Sequence, residues 1–162
     1  MGFGIATLTL EGGARIGICR LPGRDGRALE DLATIRAWAP GIVVSLTEPA
    51  EMARHNMGDM AGLLAREGIA HAAFPIRDFG VPEGLDGWPG LSARLHGVLE
   101  AGGGVLLHCY GGQGRSGMLA LRLMVERGQN PDAALAALRA VRPGAVETDA
   151  QAAWARAGQP AP

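Results

Sequence analysis

The sequence predicts an α/β fold in which a central mixed, partly parallel sheet is flanked by helices. Two observations carry this prediction. Short apolar runs alternate with stretches of helical spacing, and a glycine-rich segment joins one apolar run to the helical stretch that follows it. Because the chain has 162 residues, of which 48% are hydrophobic, it can bury a substantial core. We therefore expect a single domain over residues 1–162.

The first third of the chain predicts a hairpin, a helix and a buried strand. Phe3–Leu10 and Ala14–Cys19 are predicted strands joined by a turn at residues 11–13. Ala28–Trp38 has helical spacing, and Gly41–Leu46 is an apolar, β-branched run typical of a buried strand. The residues expected on one side of the helix are Leu29, Leu32, Ile35 and Trp38.

Strands and helices continue to alternate up to residue 108, and helices follow. The predicted elements of the middle are helix Met57–Glu67, strand Ile69–Phe74, a loop from Pro75 to about Gly87, helix Pro89–Glu100 and strand Val105–His108. Three more helices are predicted: one from about Arg115 to Arg127, one from Pro131 to about Val141 with Asn130 as its N-cap, and one over Thr148–Ala157.

The segment between the last predicted strand and the helix that follows it contains the residues whose chemical role is clearest. We call residues 109–115 the glycine loop; it begins at Cys109, ends at Arg115 and precedes Ser116. Such a loop at a helix N-terminus turns backbone N–H groups inward and binds an anion. Cys109 would lie in that positive field, so we expect its thiol to ionise near neutral pH. Arg115 would supply a charged fork for two phosphate oxygens.

Three other interpretations of the glycine loop are weaker. Gly112-x-Gly114-x-x-Gly117 also matches a dinucleotide fingerprint, but the residues after it predict helices rather than further parallel strands. A nucleoside-triphosphate loop needs a lysine, and this chain has none. The third interpretation is a buried structural cysteine that lies near an unrelated arginine. It does not explain why the strand, the glycines and the helix occur together with these two residues.

The spacing of Cys109 and Arg115, with His108, Gly114 and Ser116, resembles the signature loop of cysteine-dependent phosphatases, the protein-tyrosine and dual-specificity superfamily. From about residue 40 to the end, the order of motifs is most similar to the kinase-associated phosphatase and its bacterial relatives. These motifs are residues 41–48, a segment 73–82 that resembles the family's general-acid loop, the glycine loop, and residues 142–151. The resemblance implies a protein-tyrosine-phosphatase-like fold.

Asp78 is the candidate general acid of this family pattern. A phosphorylated oxygen leaves poorly unless it is protonated as its bond to phosphorus breaks. Asp78 lies on a loop flanked by Gly80 and Pro82, about thirty residues before Cys109, where the family carries its acid. Asp86 in the same loop is the second candidate, and an ordinary loop aspartate is the plain alternative.

The resemblance assigns roles to three further residues. The residue that matches His108 orients the loop and lowers the pKa of the thiol, and Ser116 stabilises the sulfur as a leaving group. Gln151 matches a glutamine that positions the hydrolytic water. The alternatives are a simply packed histidine, a serine that only caps its helix, and a glutamine on a helix surface.

The expected activity is hydrolysis of phosphotyrosine, and of phosphoserine or phosphothreonine, in protein or peptide substrates, through a phosphocysteine. The substrate-binding residues would be Tyr110, Gly111, Gly112, Gln113, Gly114 and Arg115. No metal or other cofactor is expected, since the histidines are scattered without zinc-like spacing. Phosphatases of phosphoinositides carry lysines in this loop, which disfavours that alternative here. A phosphate-binding module without catalysis is a further alternative, disfavoured because Cys109, Arg115 and Asp78 are all present.

Composition restricts the partners and the compartment. The formal net charge of −1 argues against nucleic acid and against anionic membranes as partners. All fifteen basic residues are arginine, which excludes any mechanism that needs a lysine. With two cysteines and no signal or membrane-spanning pattern, we expect a cytoplasmic monomer. Cys19 is expected to be a packed core residue, with reversible disulfide protection of Cys109 as the alternative.

Overall fold

The computed structural model describes residues 2–84 and 87–158. Within these ranges the strands are β1 (Ala6–Thr9), β2 (Arg15–Cys19), β3 (Ile42–Ser45), β4 (His71–Ala73) and β5 (Gly104–His108). The α-helices there are α1 (Ala28–Trp38), α2 (Pro49–Arg54), α3 (Met60–Arg66), α4 (Trp88–Glu100), α5 (Gly114–Glu126), α6 (Pro131–Val141) and α7 (Asp149–Arg156). A short 3-10 turn at Glu11–Gly13 joins β1 to β2.

The strands form one sheet in the order β1-β2-β5-β3-β4. Only β1 runs antiparallel to its neighbour; β2, β5, β3 and β4 are parallel, with Cys19 beside His108 and Ser45 on its other side. The mixed, mostly parallel sheet flanked by helices confirms the predicted fold class. Because β5 is central, the glycine loop leaves the carboxyl edge of the sheet between two neighbouring strands, where such sheets place ligands.

Alternate residues of the central strands enter two separate apolar clusters, one on each face of the sheet. Val105 and Leu107 pack with residues of α4, α5 and α6, whereas Leu106 packs with residues of α1 and α3. Both faces are therefore buried, which is why these strands are continuous apolar runs. On the α1 face a Cβ at Gly17 would lie 2.7 Å from the Trp38 ring, so the glycine permits this close packing.

Most predicted elements are confirmed, with shifts at their ends. α1 has its predicted bounds, and Asn130 caps α6 by accepting hydrogen bonds from the amides of Asp132 and Ala133 at 3.0 and 3.1 Å. The first predicted strand, Phe3–Leu10, is shortened to β1, because only residues 6–9 pair with β2. The predicted helix Met57–Glu67 begins later, at Met60.

One expectation was wrong, and one helix was not predicted. Leu29 is 81% exposed rather than buried with Leu32 and Ile35, because it lies in the first turn of α1, outside the stripe that meets the sheet. Helix α2 was not predicted. It begins with Glu48 as N-cap, Pro49 in its first turn and Glu51 completing a capping box, and six residues are too few to show a helical period.

Among the described residues, no helix combines the length and the hydropathy that crossing a bilayer requires.

Candidate active site

Cys109 directly follows β5 and is only 3% exposed. Its Sγ lies 3.3 Å from Oγ of Ser116, which is fully buried in the first turn of α5. The N-cap of α5 is Gln113, so the alternative in which Ser116 serves only as a cap is wrong. The serine hydroxyl instead stands beside the sulfur, where it can donate a hydrogen bond to it.

Carbonyl groups of the glycine loop accept hydrogen bonds from residues outside the loop. The Arg142 Nε and Nη2 donate to the carbonyls of Gly112 and Gly111, each at 2.8 Å. The Tyr110 carbonyl accepts from the Leu21 amide at 3.2 Å. Among the described residues, none accepts a hydrogen bond from the backbone N–H groups of residues 110–113. Because the carbonyls of the loop are bonded to other residues and its amides are not, the amides can donate hydrogen bonds to an anion.

Glycine is required at two positions, one in the loop and one in the helix that follows it. Gly112 has φ +69°, in the left-handed region, and a Cβ there would come within 2.6 Å of the Cys19 backbone. A Cβ at Gly117, in the first turns of α5, would lie 2.7 Å from the Val146 amide nitrogen. The loop therefore packs its backbone directly against β2, and the start of α5 packs directly against the segment before α7.

Arg115 is 1% exposed, and the two terminal nitrogens of its guanidinium donate to protein acceptors. Nη1 and Nη2 donate to the two carboxylate oxygens of Glu51 at 2.7 and 2.8 Å, and Nη1 also donates to the Ile76 carbonyl at 2.9 Å. The buried Nε makes no hydrogen bond to any described residue. The fork is thus oriented by Glu51, while Nε keeps a donor for a ligand oxygen.

Glu51 was not among the site residues predicted from the sequence. Burial alone would raise its pKa, but the hydrogen bonds from Arg115 and from the Glu48 amide outweigh burial and lower the pKa below its ordinary value. The capping-box spacing of Glu48 and Glu51, with Pro49 between them, was present in the sequence. That pattern marks a helix start; it does not show that the carboxylate meets an arginine 64 residues later.

Asp78 lies at the edge of the same site. Its side chain is 51% exposed, and Oδ1 is 3.3 Å from Nη2 of Arg115. The same oxygen accepts from the Phe79 amide at 3.0 Å, and Phe79 itself has φ +62°. The structure thus brings Asp78 to the arginine of the glycine loop. Asp86, the second candidate acid, lies outside the described residues.

Gln151 connects the acid loop, residues 75–87, to α7. It is fully buried, so the alternative of a surface glutamine is wrong. Its Oε1 accepts from the amides of Glu147 and Thr148 at 2.9 and 3.3 Å, while Nε2 donates to the Gly80 carbonyl at 3.1 Å. In this arrangement Gln151 caps α7 and binds the segment that carries Asp78.

His108 belongs to a buried polar chain. Ser45 Oγ lies 2.6 Å from Nε2 of His108 and 2.8 Å from Nε2 of His71. Burial lowers the pKa of His108 to about 3 and also lowers that of His71, so both imidazoles are neutral at physiological pH. A neutral His108 adds no positive charge beside Cys109, and its contact with Ser45 fixes its orientation instead.

The remaining candidates occupy distinct places. Tyr110 is 38% exposed, and its ring lies 5.5 Å from the His55 ring. Cys19 is a buried core residue whose pKa is raised by burial. Within residues 2–84 and 87–158, no cluster of three or more His, Cys, Asp or Glu side chains has the arrangement of a metal site.

The arrangement of a buried cysteine, loop amides without an acceptor among the described residues and an oriented arginine suits thiol-based phosphoryl transfer. A family model described as "Polymorphic toxin system, DSP-PTPase phosphatase" matches residues 17–129. The chain therefore belongs to the family of DSP-PTPase phosphatases, which confirms the superfamily predicted from the signature loop.

Curated relatives agree with this family. Cyclin-dependent kinase inhibitor 3 of Mus musculus is 30% identical over 140 residues, and its counterpart in Rattus norvegicus is 31% identical over 141. In each case the match covers 82% of this chain and 66% of the relative, so the chain spans about two thirds of their length.

Solved structures share the fold. Kinase associated phosphatase (KAP), with its catalytic-site cysteine replaced by serine, has a TM-score of 0.83 at 25% identity, covering 96% of this chain and 93% of that one. Tk-PTP in its active form has a TM-score of 0.67 at 28% identity, covering 90% of both chains. PTPMT1 in complex with PI(5)P, 16% identical with a TM-score of 0.64 and 87% coverage of both chains, shows a shared fold alone.

Proposed function

We propose that this chain hydrolyses phosphotyrosine, and phosphoserine or phosphothreonine, in protein or peptide substrates through a phosphocysteine on Cys109. The observation that carries the proposal is the set of donors beside the sulfur. The Nε of Arg115 and the amides of residues 110–113 have no acceptor among the described residues. A buried donor such as the Arg115 Nε is normally paired, and the three equatorial oxygens of a phosphoryl group would accept from it and from the loop amides.

The first half-reaction forms a sulfur–phosphorus bond. The Cys109 thiolate attacks phosphorus while Arg115 and the loop amides hold the equatorial oxygens. The bond from phosphorus to the substrate oxygen breaks, and protonated Asp78 gives its proton to that oxygen. Its half-exposed side chain supports this role, because it lies 3.3 Å from the arginine that would hold the phosphoryl group.

The second half-reaction restores the enzyme. Water attacks the phosphorus of the phosphocysteine and gives a proton to the Asp78 carboxylate, while the electron pair of the S–P bond returns to Cys109. A hydrogen bond from the Ser116 hydroxyl stabilises the departing sulfur, as the 3.3 Å separation allows. Gln151 acts on this step by binding the Gly80 carbonyl beside Asp78 and so helping to fix the acid loop.

The same proposal includes the substrate, the cellular compartment and the oligomeric state. The substrate is a phosphorylated protein or peptide, which accords with the names of two relatives, cyclin-dependent kinase inhibitor 3 and kinase associated phosphatase. We infer that residues 1–162 act as one cytoplasmic, monomeric phosphatase domain that needs no metal. Nucleic acid and membranes are not partners in this account.

The test is hydrolysis of p-nitrophenyl phosphate in the presence of EDTA. The wild-type protein should turn over, and Cys109→Ser should not, because a serine hydroxyl stays protonated at neutral pH. Cys19→Ala is the matched control and should keep its activity, since Cys19 is a core residue. Substantial turnover by Cys109→Ser would refute the mechanism, and turnover of phosphoinositides in preference to phosphopeptides would overturn the substrate class.

A further inference from the structure

Three polar side chains on neighbouring strands form a chain that leads from Cys109 toward the edge of the sheet. Ser45 ends β3, and His108 ends β5 directly opposite it in the parallel register. His71 begins β4, two residues before the strand partner of Ser45, so both side chains lie on the same face of the sheet. The strand order β5-β3-β4 places Ser45 between the two histidines.

The Ser45 hydroxyl contacts both imidazoles. Its Oγ lies 2.6 Å from Nε2 of His108 and 2.8 Å from Nε2 of His71. Both imidazoles are neutral, so each has one N–H, and the hydroxyl has one proton to give. If both histidines donated to Ser45, its proton would have no acceptor among the described residues. The hydroxyl therefore donates to one Nε2 and accepts from the other, which leaves two opposite directions.

The second ring nitrogen of His108 selects one of these directions. Nδ1 is buried and makes no hydrogen bond within the described ranges. Burial is the main cause that lowers the pKa of His108, and the Cys109 backbone acts in the opposite direction, as a hydrogen-bond acceptor does. Because Nε2 already contacts Ser45, this acceptor faces Nδ1. A proton on Nδ1 meets the acceptor, whereas a bare Nδ1 would oppose it with a lone pair.

With the proton on Nδ1 of His108, every donor in the chain is directed toward Cys109. Nε2–H of His71 donates to Ser45 Oγ, and the Ser45 hydroxyl donates to Nε2 of His108. If His71 carried its proton on Nδ1 instead, its bare Nε2 would accept the hydroxyl proton. His108 would then have to donate from Nε2 and turn a lone pair toward Cys109.

We propose that His71 is a positioning residue that fixes, through the Ser45 hydroxyl, which ring nitrogen of His108 carries the proton. The inference rests on the proposed function, because its consequence falls on the nucleophile Cys109. The positive end of an N–H dipole beside this residue favours the thiolate, and the lone pair of the other tautomer disfavours it. Ser45 and His71 lie outside the glycine loop and reach it only through His108.

Charged groups on other elements also act on this chain. Burial and the charge of Arg94, which belongs to α4, lower the pKa of His71. Arg115 and Glu51 act on the pKa of His108 in opposite directions, Arg115 lowering it and Glu51 raising it. Protonation of His71 in acid would add a proton at Nδ1 and leave Nε2–H in place. The direction of the chain is therefore the same whether or not His71 is charged.

The experiment measures the rate at which iodoacetamide alkylates Cys109 as a function of pH, with the modified peptide quantified by mass spectrometry. Because only the thiolate reacts, the midpoint of this profile reports thiol ionisation without any turnover. Ser45→Ala and His71→Leu should each move the midpoint up by about half a pH unit, as the loss of one hydrogen bond allows. Below the midpoint, kcat/KM for p-nitrophenyl phosphate should fall about threefold.

Conservative variants separate the direction of the hydrogen bonds from packing. Ser45→Thr keeps the hydroxyl, and His71→Gln keeps an N–H donor for Ser45, so both should retain the wild-type midpoint. The double variant Ser45→Ala/His71→Leu should show only the shift of Ser45→Ala, because His71 acts through Ser45. Thermal midpoints measured on the same proteins report losses of packing separately.

The tautomers themselves can be observed in the wild-type protein. NMR spectra of protein with isotope-labelled histidine nitrogens distinguish a protonated ring nitrogen from a bare one. We expect the proton on Nδ1 of His108 and on Nε2 of His71. This measurement decides the question even if Ser45→Ala or His71→Leu does not fold.

The outcomes separate this inference from the proposed function. If the wild-type protein does not hydrolyse p-nitrophenyl phosphate, the proposed function fails, whatever the alkylation profile shows. If it does, three results overturn the role of His71. These are an unchanged midpoint in His71→Leu, equal shifts in His71→Leu and His71→Gln, and a double variant in which the two shifts add. A proton on Nε2 of His108 in the wild-type protein would overturn it as well.

Discussion

Glu51 accepts hydrogen bonds from both terminal nitrogens of Arg115, at 2.7 and 2.8 Å, in a site where Arg115 is 1% exposed. The two residues come from different helices, α2 and α5. A paired fork of this kind fixes the plane of the guanidinium and leaves Nε for the substrate. We therefore treat Glu51 as a positioning residue that acts through Arg115.

Glu51→Gln keeps the size of the side chain but loses its charge and one of two acceptor oxygens. We expect kcat/KM to fall by roughly tenfold, because a looser arginine stabilises the transferring phosphoryl group less well. Inhibition by vanadate should weaken in parallel, and the thermal midpoint should fall as well, because the buried guanidinium of Arg115 loses its counter-charge. Glu48→Gln is the control: Glu48 shares the capping box with Glu51. An equal loss in that variant would assign the effect to the helix start.

Arg115→Lys keeps a positive charge but removes the planar fork. We expect kcat/KM to fall by roughly 100-fold or more, equivalent to about 2.7 kcal/mol of transition-state stabilisation. Steady-state kinetics on a phosphopeptide measure this effect. A lysine variant with nearly wild-type kinetics would show that the arginine is peripheral to the reaction.

Asp78→Asn should act according to the leaving group. An alkyl or phenol oxygen of high pKa needs a proton to depart, whereas a very acidic phenol leaves unaided. The variant should therefore slow phosphopeptide hydrolysis far more than hydrolysis of an activated aryl phosphate. Asp86→Asn should leave both close to wild type. If the two variants exchange behaviour, Asp86 is the acid; if neither is selective, no acid acts from this loop.

A buried carboxylate in α5 predicts the acid sensitivity of the fold. Glu126 accepts hydrogen bonds from Trp88 Nε1 and Arg122 Nε at 3.0 Å and from Ser92 Oγ at 2.6 Å, and His96 Nε2 lies 3.0 Å away. Burial would raise the pKa of Glu126, but these contacts outweigh it and lower the pKa to about 2. The cluster joins α4, which follows the acid loop, to the helix that begins with Arg115.

Since the folded pKa of Glu126 is below its unfolded value, its contribution to stability is present above the unfolded value and is lost as pH falls toward about 2. Glu126→Gln should lower the free energy of unfolding at pH 7 by roughly 3 kcal/mol. Urea titrations should show the difference from wild type shrinking below about pH 5. A difference that stays constant to about pH 3 would contradict the ion-pair explanation.

Local patterns were enough to predict the parts of the site that lie close together in the sequence. β5, the glycine loop and α5 follow one another directly, so Cys109, Arg115 and Ser116 could be placed from spacing alone. Glu51 and Arg142 could not, because nothing around them in the sequence shows that they meet the glycine loop across 64 and about 30 residues. The neutral state of His108 also depends on burial, which its sequence neighbours do not disclose.

A phosphocysteine on Cys109 can be detected by trapping the phosphoryl group on the enzyme. The protein is mixed with an excess of p-nitrophenyl phosphate, quenched in acid within the first turnover, digested and examined by mass spectrometry. We predict that one phosphoryl group is attached to the peptide containing Cys109, and that Cys109→Ser carries none. Turnover by the wild-type protein without any such adduct, or with the phosphoryl group on another residue, would contradict the account.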